Sequence, residues 1–351
     1  MRQNADALLG RDSGDWAGIT VIVITLNEEM YIADCLDSLL RLDYPEERHE
    51  IIVVDASTDS TPEIVRRYPR VRYIAEKKGF SRQKNTGVQA AAFGNVAFTD
   101  ADCLVPSDWL RIIHRALVDP HRSGIGGNAF PPPGSGYFAT CSAAIGHPAG
   151  GAVGFDANVS RGPDGVAFIA GCNCVLRKSA LMVAGGFSPA FNDGGEDVDI
   201  SRRLRQLGHY LDYIPELTVY HRPRPTMKAY VRWNIGVGHT KFNLTRPGWL
   251  RLIAQPGFFL WPLLGAAGMI AAWLHSPWLW VRLALLGWLA LLGFLTAFTR
   301  PYPRLMQRRR WLGLGLISIL TVIPLLILIR QVAMHWGQLR KWFRVSASIR
   351  A

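Results

Sequence analysis

The sequence predicts a doubly wound, parallel α/β domain followed by C-terminal transmembrane helices, and three observations carry this. Short β-branched runs alternate with segments of helical period through residues 19–222, the pattern of β-α-β units on a parallel sheet. Two carboxylates, Asp100 and Asp102, directly follow the apolar run Asn95-Val96-Ala97-Phe98, and a second acidic pair, Glu196-Asp197, follows two glycines. From about residue 252 onward Leu, Ala, Ile, Trp, Phe and Gly dominate. The mean hydropathy of +0.11, high for a wholly soluble enzyme, therefore comes from the last third of the chain.

Residues 1–18 read as a loose tail. Ile19-Thr20-Val21-Ile22-Val23-Ile24 is apolar on both faces, as in a strand covered by helices on each side. Asn27 ends that strand and is placed to cap the next element. Ile32, Cys35, Leu36, Leu39 and Leu40 then recur at helical spacing. Ile51-Ile52-Val53-Val54 is a second buried strand, closed by Asp55-Ala56-Ser57-Thr58-Asp59-Ser60-Thr61, and Pro62 opens a helix. Val71-Arg72-Tyr73-Ile74 is a third strand, 81–93 a helix, and 95–98 a fourth strand. This order requires right-handed crossovers on one sheet. The Gly- and Pro-rich stretch 120–165 reads as a mobile loop region over a site. Helices follow from Lys178 and from Glu196 to Leu207, and 211–221 reads as two short strands.

The net charge of +12 restricts the function classes. Much of it flanks the apolar segments, at Arg300, Arg304, Arg308, Arg309 and Arg310 and at Arg340, Lys341 and Arg344. That placement fits loops meeting anionic lipid, and no nucleic-acid motif accompanies it. The start of the chain is polar, with Asp6, Asp12 and Asp15, and lacks the apolar core of a signal peptide. The globular part is therefore expected in the cytoplasm. Five cysteines, Cys35, Cys103, Cys141, Cys172 and Cys174, include no Cys-x-x-Cys pair. Cys172-Asn173-Cys174 is too little for a zinc site, so all five read as small buried residues in a reducing compartment.

The carboxylates carry the chemistry. Ligands of parallel sheets bind at the C-terminal strand edge, and Asp100 and Asp102 lie there, on one side of an extended segment. Hard oxygen ligands suit Mg2+ or Mn2+ holding a diphosphate. Glu196-Asp197 offers a base, although acidic residues also favour a helix N-terminus for dipole reasons alone. A metal-diphosphate site with a base describes sugar transfer from a nucleotide donor.

The ordered set Val21-Ile22-Val23-Ile24-Thr25-Leu26-Asn27-Glu28, Val53-Val54-Asp55-x-Ser57-x-Asp59, Gly79-x-x-x-x-Lys84-Asn85-x-Gly87, Asp100-Ala101-Asp102 and Glu196-Asp197 resembles the signature of family 2 glycosyltransferases. The resemblance implies the GT-A fold over residues 19–245 and an inverting hexosyltransferase with a nucleotide-diphosphate-sugar donor. It implies that Thr25, Asn27, Glu28 and Asp55 hold the nucleoside, that Asp102 binds the metal, and that Asp100 reaches the ribose or the metal-bound water. Asp197, with Glu196 beside it, is implied as the general base. Lys84 stands where the family usually has arginine and lacks the planar fork for paired contacts; Arg82 is the substitute. His221 is a candidate third metal ligand. Arg232-Trp233 resembles part of the Gln-x-x-Arg-Trp signature of processive membrane synthases and marks a candidate acceptor site, but Ala229 replaces the glutamine.

Segments 252–274, 278–298 and 311–329 are each about 20 residues of nearly uncharged sequence, enough to span a bilayer. They give a transmembrane region 246–336 and a basic tail 337–351. The layout resembles bacterial enzymes of exopolysaccharide and glycolipid assembly, multi-pass in the cytoplasmic membrane with the catalytic domain inside. The implied partners are a lipid-linked or saccharide acceptor, membrane lipids and other polysaccharide-assembly proteins. The alternatives are a processive polysaccharide synthase and a non-catalytic nucleotide-sugar scaffold; intact Asp102 and Asp197 count against the latter.

Overall fold

A computed structural model describes residues 16–145, 161–162, 165–245 and 312–350, together with Ile270, Leu274, His275, Trp278 and Arg282. The strand β1 (Ile19–Thr25) is buried along its whole length, as its unbroken apolar run requires. It is flanked by β2 (His49–Asp55) and β4 (Asn95–Asp100), both parallel to it, and β2 pairs in parallel with β3 (Val71–Ala75). The helices α1 (Ile32–Leu40), α2 (Thr61–Val65) and α3 (Phe80–Ala90) make the crossovers. Strand order 3-2-1-4 reverses direction between β1 and β4, and this is where an open α/β sheet forms its crevice. Ile24 lies in register with Asp100 and Thr25 with Asp55, so three expected ligands end on one edge.

Beyond β4 the sheet becomes mixed. The short β5 (Cys103–Leu104), α4 (Trp109–Leu117), β6 (Arg122–Phe130), α5 (Tyr137–Ala144), β7 (Arg161–Gly162), β8 (Gly165–Val166), β9 (Asn173–Arg177), α6 (Lys178–Val183), α7 (Glu196–Gln206) and β10 (Tyr210–His221) complete it. Its order continues 4-9-6-10-8-7, with β9 antiparallel to both β4 and β6, and β5 antiparallel to β10. Asn173 ties this half together by donating to the carbonyls of Asn128 and Leu217, each at 2.9 Å, while accepting from the indole of buried Trp109.

Four expectations are corrected. Trp16 is no loose tail residue: it packs edge-on to Tyr44, whose hydroxyl donates to the carbonyl of Ala17. The expected loop at 120–165 contains the buried strand β6. Its glycines are there for packing, since a Cβ on Gly127 would lie 1.7 Å from the carbonyl oxygen of Leu217 and one on Gly126 2.3 Å from Ile169. Residues 211–221 belong to one strand, with a register shift between Tyr213 and Thr218 against β6. Asn27 caps no helix: Tyr31 precedes α1, and Asn27 instead sits at φ 59° and accepts from the Thr58 amide at 2.8 Å.

After the sheet comes α8 (Met227–Thr245), and α9 (Leu316–Leu320) leads into α10 (Val322–Arg350). The backbone breaks at Thr321, not at Pro324, which sits in the first turn of α10 where proline is tolerated. The helix continues through the expected basic tail to Arg350. Helices α8 and α10 touch backbone to backbone: a Cβ on Gly238 would meet the Met334 carbonyl oxygen at 2.0 Å, and one on Gly337 the Ile235 carbonyl oxygen at 2.1 Å. A second core joins α5, α8, α9 and α10 through Cys141, Ala144, Tyr230, Ile319, Ile323 and Leu326. Among the described residues, Leu316–Ser346 is the one stretch long and apolar enough to cross a membrane, judged by length and composition alone. The expected spans 252–274 and 278–298 lie outside the described residues apart from Ile270, Leu274, Trp278 and Arg282.

Candidate active site

The loops after β1 and β2 are laced together at the sheet edge. Thr25 donates its hydroxyl to the Asp55 carboxylate, and Asp55 also accepts from the Ser57 amide at 3.1 Å and the Tyr73 hydroxyl at 3.2 Å. The amides of Asn27 and Glu28 donate to Ser57 Oγ and Thr61 Oγ1. Beneath them the buried Gln83 amide donates to the carbonyls of Thr25 at 2.8 Å and Val54 at 2.9 Å, which fixes α3 against both strand ends. Close approach of this helix depends on Gly87, where a Cβ would lie 2.6 Å from Ile22.

Two cavities adjoin along this edge. The first is lined by Thr25, Glu28, Gly79, Asp100, Asp102 and Arg224, among others. The second is lined by Lys84, Asp100, Cys172, Asp197, His221 and Trp233, among others. Phe80, Asp100 and Arg224 belong to both. The hundred-residue gap between the two acidic motifs thus closes in space.

The short β5–β10 pairing sets Cys103 opposite His221 and so brings His221 onto Asp102. Nε2 of His221 lies 3.0 Å from Asp102 Oδ1, and Arg224 reaches Asp102 Oδ2 at 3.4 Å. His221 is 5% exposed, and neither ring nitrogen has a hydrogen-bond partner of good geometry among the described residues. Burial opposes charge on both partners. On Asp102 the His221 and Arg224 cations outweigh it and hold the carboxyl below its usual range; on His221 the Asp102 and Cys103 anionic forms outweigh it and push the imidazole well up. Burial and the neighbouring Asp102 charge raise Asp100. Burial, then Asp102, pushes Glu28 up to about 7. Asp100 and Glu28, raised by burial and by the Asp102 charge, crowd one edge with Asp102 and the buried His221 ring, a set of oxygen and nitrogen donors that fits a divalent cation. The side-chain donor atoms of Asp102, Cys103 and His221, and likewise of Asp100, Cys172 and His221, fall within 4.8 Å of one another.

On the far side of the second cavity, Gly194 (φ 111°) and Gly195 (φ 89°) turn the chain into α7. They also leave room for Thr240 of α8, which a Cβ at either would contact at 2.8 or 2.7 Å. Asp197 is held by two backbone amides: Gly171 donates to Oδ2 at 3.1 Å and Val198 to Oδ1 at 2.8 Å. Burial and then the Glu196 charge push it up to about 6, against the lowering pull of Lys84 and the two amides. Lys84 is bonded to Glu196 rather than reaching the first cavity. Its Nζ lies 2.6 Å from Glu196 Oε1, with side-chain exposures of 3% and 7%. Burial works against this ammonium, but Glu196, Asp197 and Asp100 outweigh it and raise its pKa.

Arg82 and Arg232 are exposed and line neither cavity. Trp233 lines the second cavity, with the Arg224 guanidinium 5.9 Å over its ring. Asp199 is a buried support, paired with Arg202 and Arg203 at 2.9 Å each. Sequence reasoning missed Arg224, Gln83 and Gly171. The signal for Arg224 was its place just past a strand that ends in a candidate ligand, His221-Arg222-Pro223-Arg224. Gly171 had none, because its importance is the space its absent side chain leaves for Lys84.

Residues 20–184 match the family model described as glycosyl transferase family 2. A beta-monoglucosyldiacylglycerol synthase of Synechocystis sp. is 38% identical over 111 residues, covering 29% of this chain and 23% of that protein. A dolichyl N-acetyl-alpha-D-glucosaminyl phosphate 3-beta-D-2,3-diacetamido-2,3-dideoxy-beta-D-glucuronosyltransferase of Methanococcus voltae is 24% identical over 267 residues, covering 70% of this chain and 80% of that one. The chain spans about a third or less of the length of the first curated relatives it matches. Among solved structures, a mannosyltransferase from Pyrobaculum calidifontis in complex with GDP-Man and Mn2+ aligns over 96% of this chain and 94% of its own, at 21% identity and a TM-score of 0.57. That similarity shows a shared GT-A-type fold.

Proposed function

Because residues 20–184 match the glycosyl transferase family 2 model, we propose that the chain is a member of that family and moves a sugar from a nucleotide-diphosphate-sugar to a lipid-linked or membrane-proximal acceptor, with inversion. One observation carries this reading. Two cavities meet at Asp100, Phe80 and Arg224, one over the ends of β1 and β4 and the other holding a buried carboxylate raised to about 6.

The donor's nucleoside would lie over Thr25, Asn27, Glu28 and Asp55, with its diphosphate toward Asp100, Asp102 and Arg224. Asp102, Asp100 and His221 would hold Mn2+ or Mg2+. Such a cation, when bound, supplies charge neutralisation to a departing diphosphate. Arg224 adds fixed positive charge on the same side. The acceptor enters from the second cavity, where Trp233 offers a stacking face. Asp197 takes the proton from the acceptor hydroxyl as that oxygen attacks the anomeric carbon. Both of its oxygens are already aimed by amides, which leaves one lone pair on each oxygen to accept the proton. The attack forms the new C–O bond as the bond to the diphosphate breaks, and the anomeric centre inverts. Glu196 stays locked to Lys84 and keeps a second carboxylate out of the proton's path.

A lipid-borne acceptor is supported by two relatives whose names are built on diacylglycerol and dolichyl lipids. It is also supported by the apolar stretch Leu316–Ser346, which docks on α8 beside the second cavity. We read segments 252–274 and 278–298, with the start of this stretch, as the membrane anchor and the catalytic face as cytoplasmic. The test is a donor screen on the purified chain in detergent, scoring nucleoside diphosphate release with and without Mn2+. Metal-stimulated release from one donor class is expected; no release from any donor overturns the reading.

A further inference from the structure

Glycosyl transfer as proposed above uses no thiol, yet two thiols converge on the metal position. Cys172 lines the second cavity and is 5% exposed; Cys103, directly behind, is fully buried. Cys172 sits in the tight turn that Asn173 closes by donating its amide to the Ala170 carbonyl at 3.1 Å. That turn hands its neighbour Gly171 to Asp197 and leaves Cys172 facing Asp100 and His221. The donor atoms of Asp100, Cys172 and His221 lie within 4.8 Å of one another. A tetrahedral zinc ion, with bonds of about 2.0–2.3 Å, needs its ligands about 3.6 Å apart, a gap that small side-chain rotations close. His221 is buried, and its Nε2 already faces the carboxylate pair, 3.0 Å from Asp102 Oδ1, so the ring is aimed into the same cluster.

We propose that Asp100, Cys172 and His221 form a thiolate-containing site for a borderline or soft divalent cation of the zinc class, overlapping the position of the hard cation that the donor needs. Carboxylate and carbonyl oxygens suit Mg2+ and Mn2+, whereas thiolate selects zinc-like ions. Binding converts Cys172 S–H and Zn2+ into a Zn–S bond and a proton released to solvent, with no change of oxidation state. Zinc and the donor's metal then exclude each other, because both need Asp100 and His221. The sequence spacing set zinc aside, since only Cys172-Asn173-Cys174 was visible; the fold supplies the missing ligands from β4 and β10 instead.

Cobalt substitution tests this on the full chain in detergent, without donor or acceptor, so the outcome is separate from that of the donor screen. The unaltered protein is expected to show a thiolate-to-cobalt charge-transfer band that Zn2+ abolishes, and Cys172→Ser and His221→Ala are each expected to lose it. Losing even an outer partner of a metal ligand costs about 10–100-fold in affinity. By calorimetry Cys172→Ser should therefore weaken Zn2+ by more than about 100-fold while Mn2+ affinity stays within about twofold, the retained Mn2+ binding reporting an intact fold. Absence of the band in the unaltered protein overturns the proposal. So does a band that survives Cys172→Ser, or an equal loss of Zn2+ and Mn2+ affinity.

Discussion

Replacing Lys84 by methionine removes the cation that pairs with Glu196 in the interior. The ammonium is 2.6 Å from Glu196 Oε1, and both side chains are almost wholly buried. Methionine fills the stem but leaves a desolvated carboxylate unpaired. Breaking a buried pair from one side costs about 3–5 kcal/mol. In a domain of this size each kcal/mol moves the midpoint by about 2–4 °C, so Lys84→Met should lower Tm by about 6–20 °C. A second effect separates this from general damage. Lys84 lowers the proton affinity of Asp197, which burial and Glu196 have pushed up to about 6. Without Lys84 the base holds its proton to higher pH, and the acid limb of kcat/KM moves in the alkaline direction. The double variant Lys84→Met/Glu196→Gln removes both charges and should recover part of the lost Tm, because neither partner is left ionised and alone. Thermal melts and pH-rate profiles of the three variants provide the readout. A Tm within about 1 °C of the parent, or an acid limb that does not move, would refute the reasoning.

Asp197→Asn should keep nucleotide affinity by calorimetry and lose turnover by about 10²–10⁴-fold, the weight of a general base. With Asp197 as the proposed base, the parent's log kcat/KM should climb with pH below about 6 and level off above it, and Asp197→Asn should lack that limb. Asp102→Ala should abolish metal-dependent donor affinity, because Asp102 meets His221 at 3.0 Å and Arg224 at 3.4 Å; undiminished affinity with Mn2+ would contradict the assignment. Gly337→Leu drives a side chain into the Ile235 carbonyl, where even a Cβ comes to 2.1 Å. It should reduce kcat by up to about 10²-fold, the cost of displacing a positioned group by about 1 Å, with donor KM little changed.

The half of the sheet that obeys one rule was legible in the sequence. β1, β2 and β4 are buried on both faces, so unbroken β-branched runs announce them, and their ends fix Thr25, Asp55 and Asp100 on one edge. The other half hides behind glycine. In β6, Gly124, Gly126 and Gly127 imitate a loop by composition, although each lets a neighbouring strand or side chain come within the radius of a methyl group. The candidate site follows the same division. Asp102 and Asp197 stand in motifs, so their residue types and order point to them. Arg224, Gln83 and Cys172 reach the site only through β10, α3 and the turn before β9, which no local spacing records.

The lysine at position 84 shows how one departure from the resemblance becomes consistent once packing is known. An arginine is expected there, and a fork would suit a nucleotide contact. The space around the side chain's end is set by Gly171, whose Cβ, if it existed, would lie 2.7 Å from Nζ and 3.6 Å from Glu196 Oε1. A compact ammonium fits that gap, touching Glu196 while facing Asp197 and Asp100. The rings of Phe98 and Phe187, each with its centroid 5.5 Å from Nζ, enclose it on the other side. Gly171 therefore has two tasks at once: its amide aims Asp197, and its missing side chain admits the cation that moderates the same carboxylate. Donor cleft and base are coupled again through Asn192, which accepts from the Arg82 amide at 3.0 Å at the start of α3 while its own backbone lies just before Asp193 and the glycines that lead into α7. On the opposite side of that loop, Lys341 of α10 lies 3.4 Å from Asp193. The apolar C-terminal helix thus contacts the segment that leads to Asp197, and under the proposed function its seating against Gly238 and Gly337 would bear on the base and not on anchoring alone.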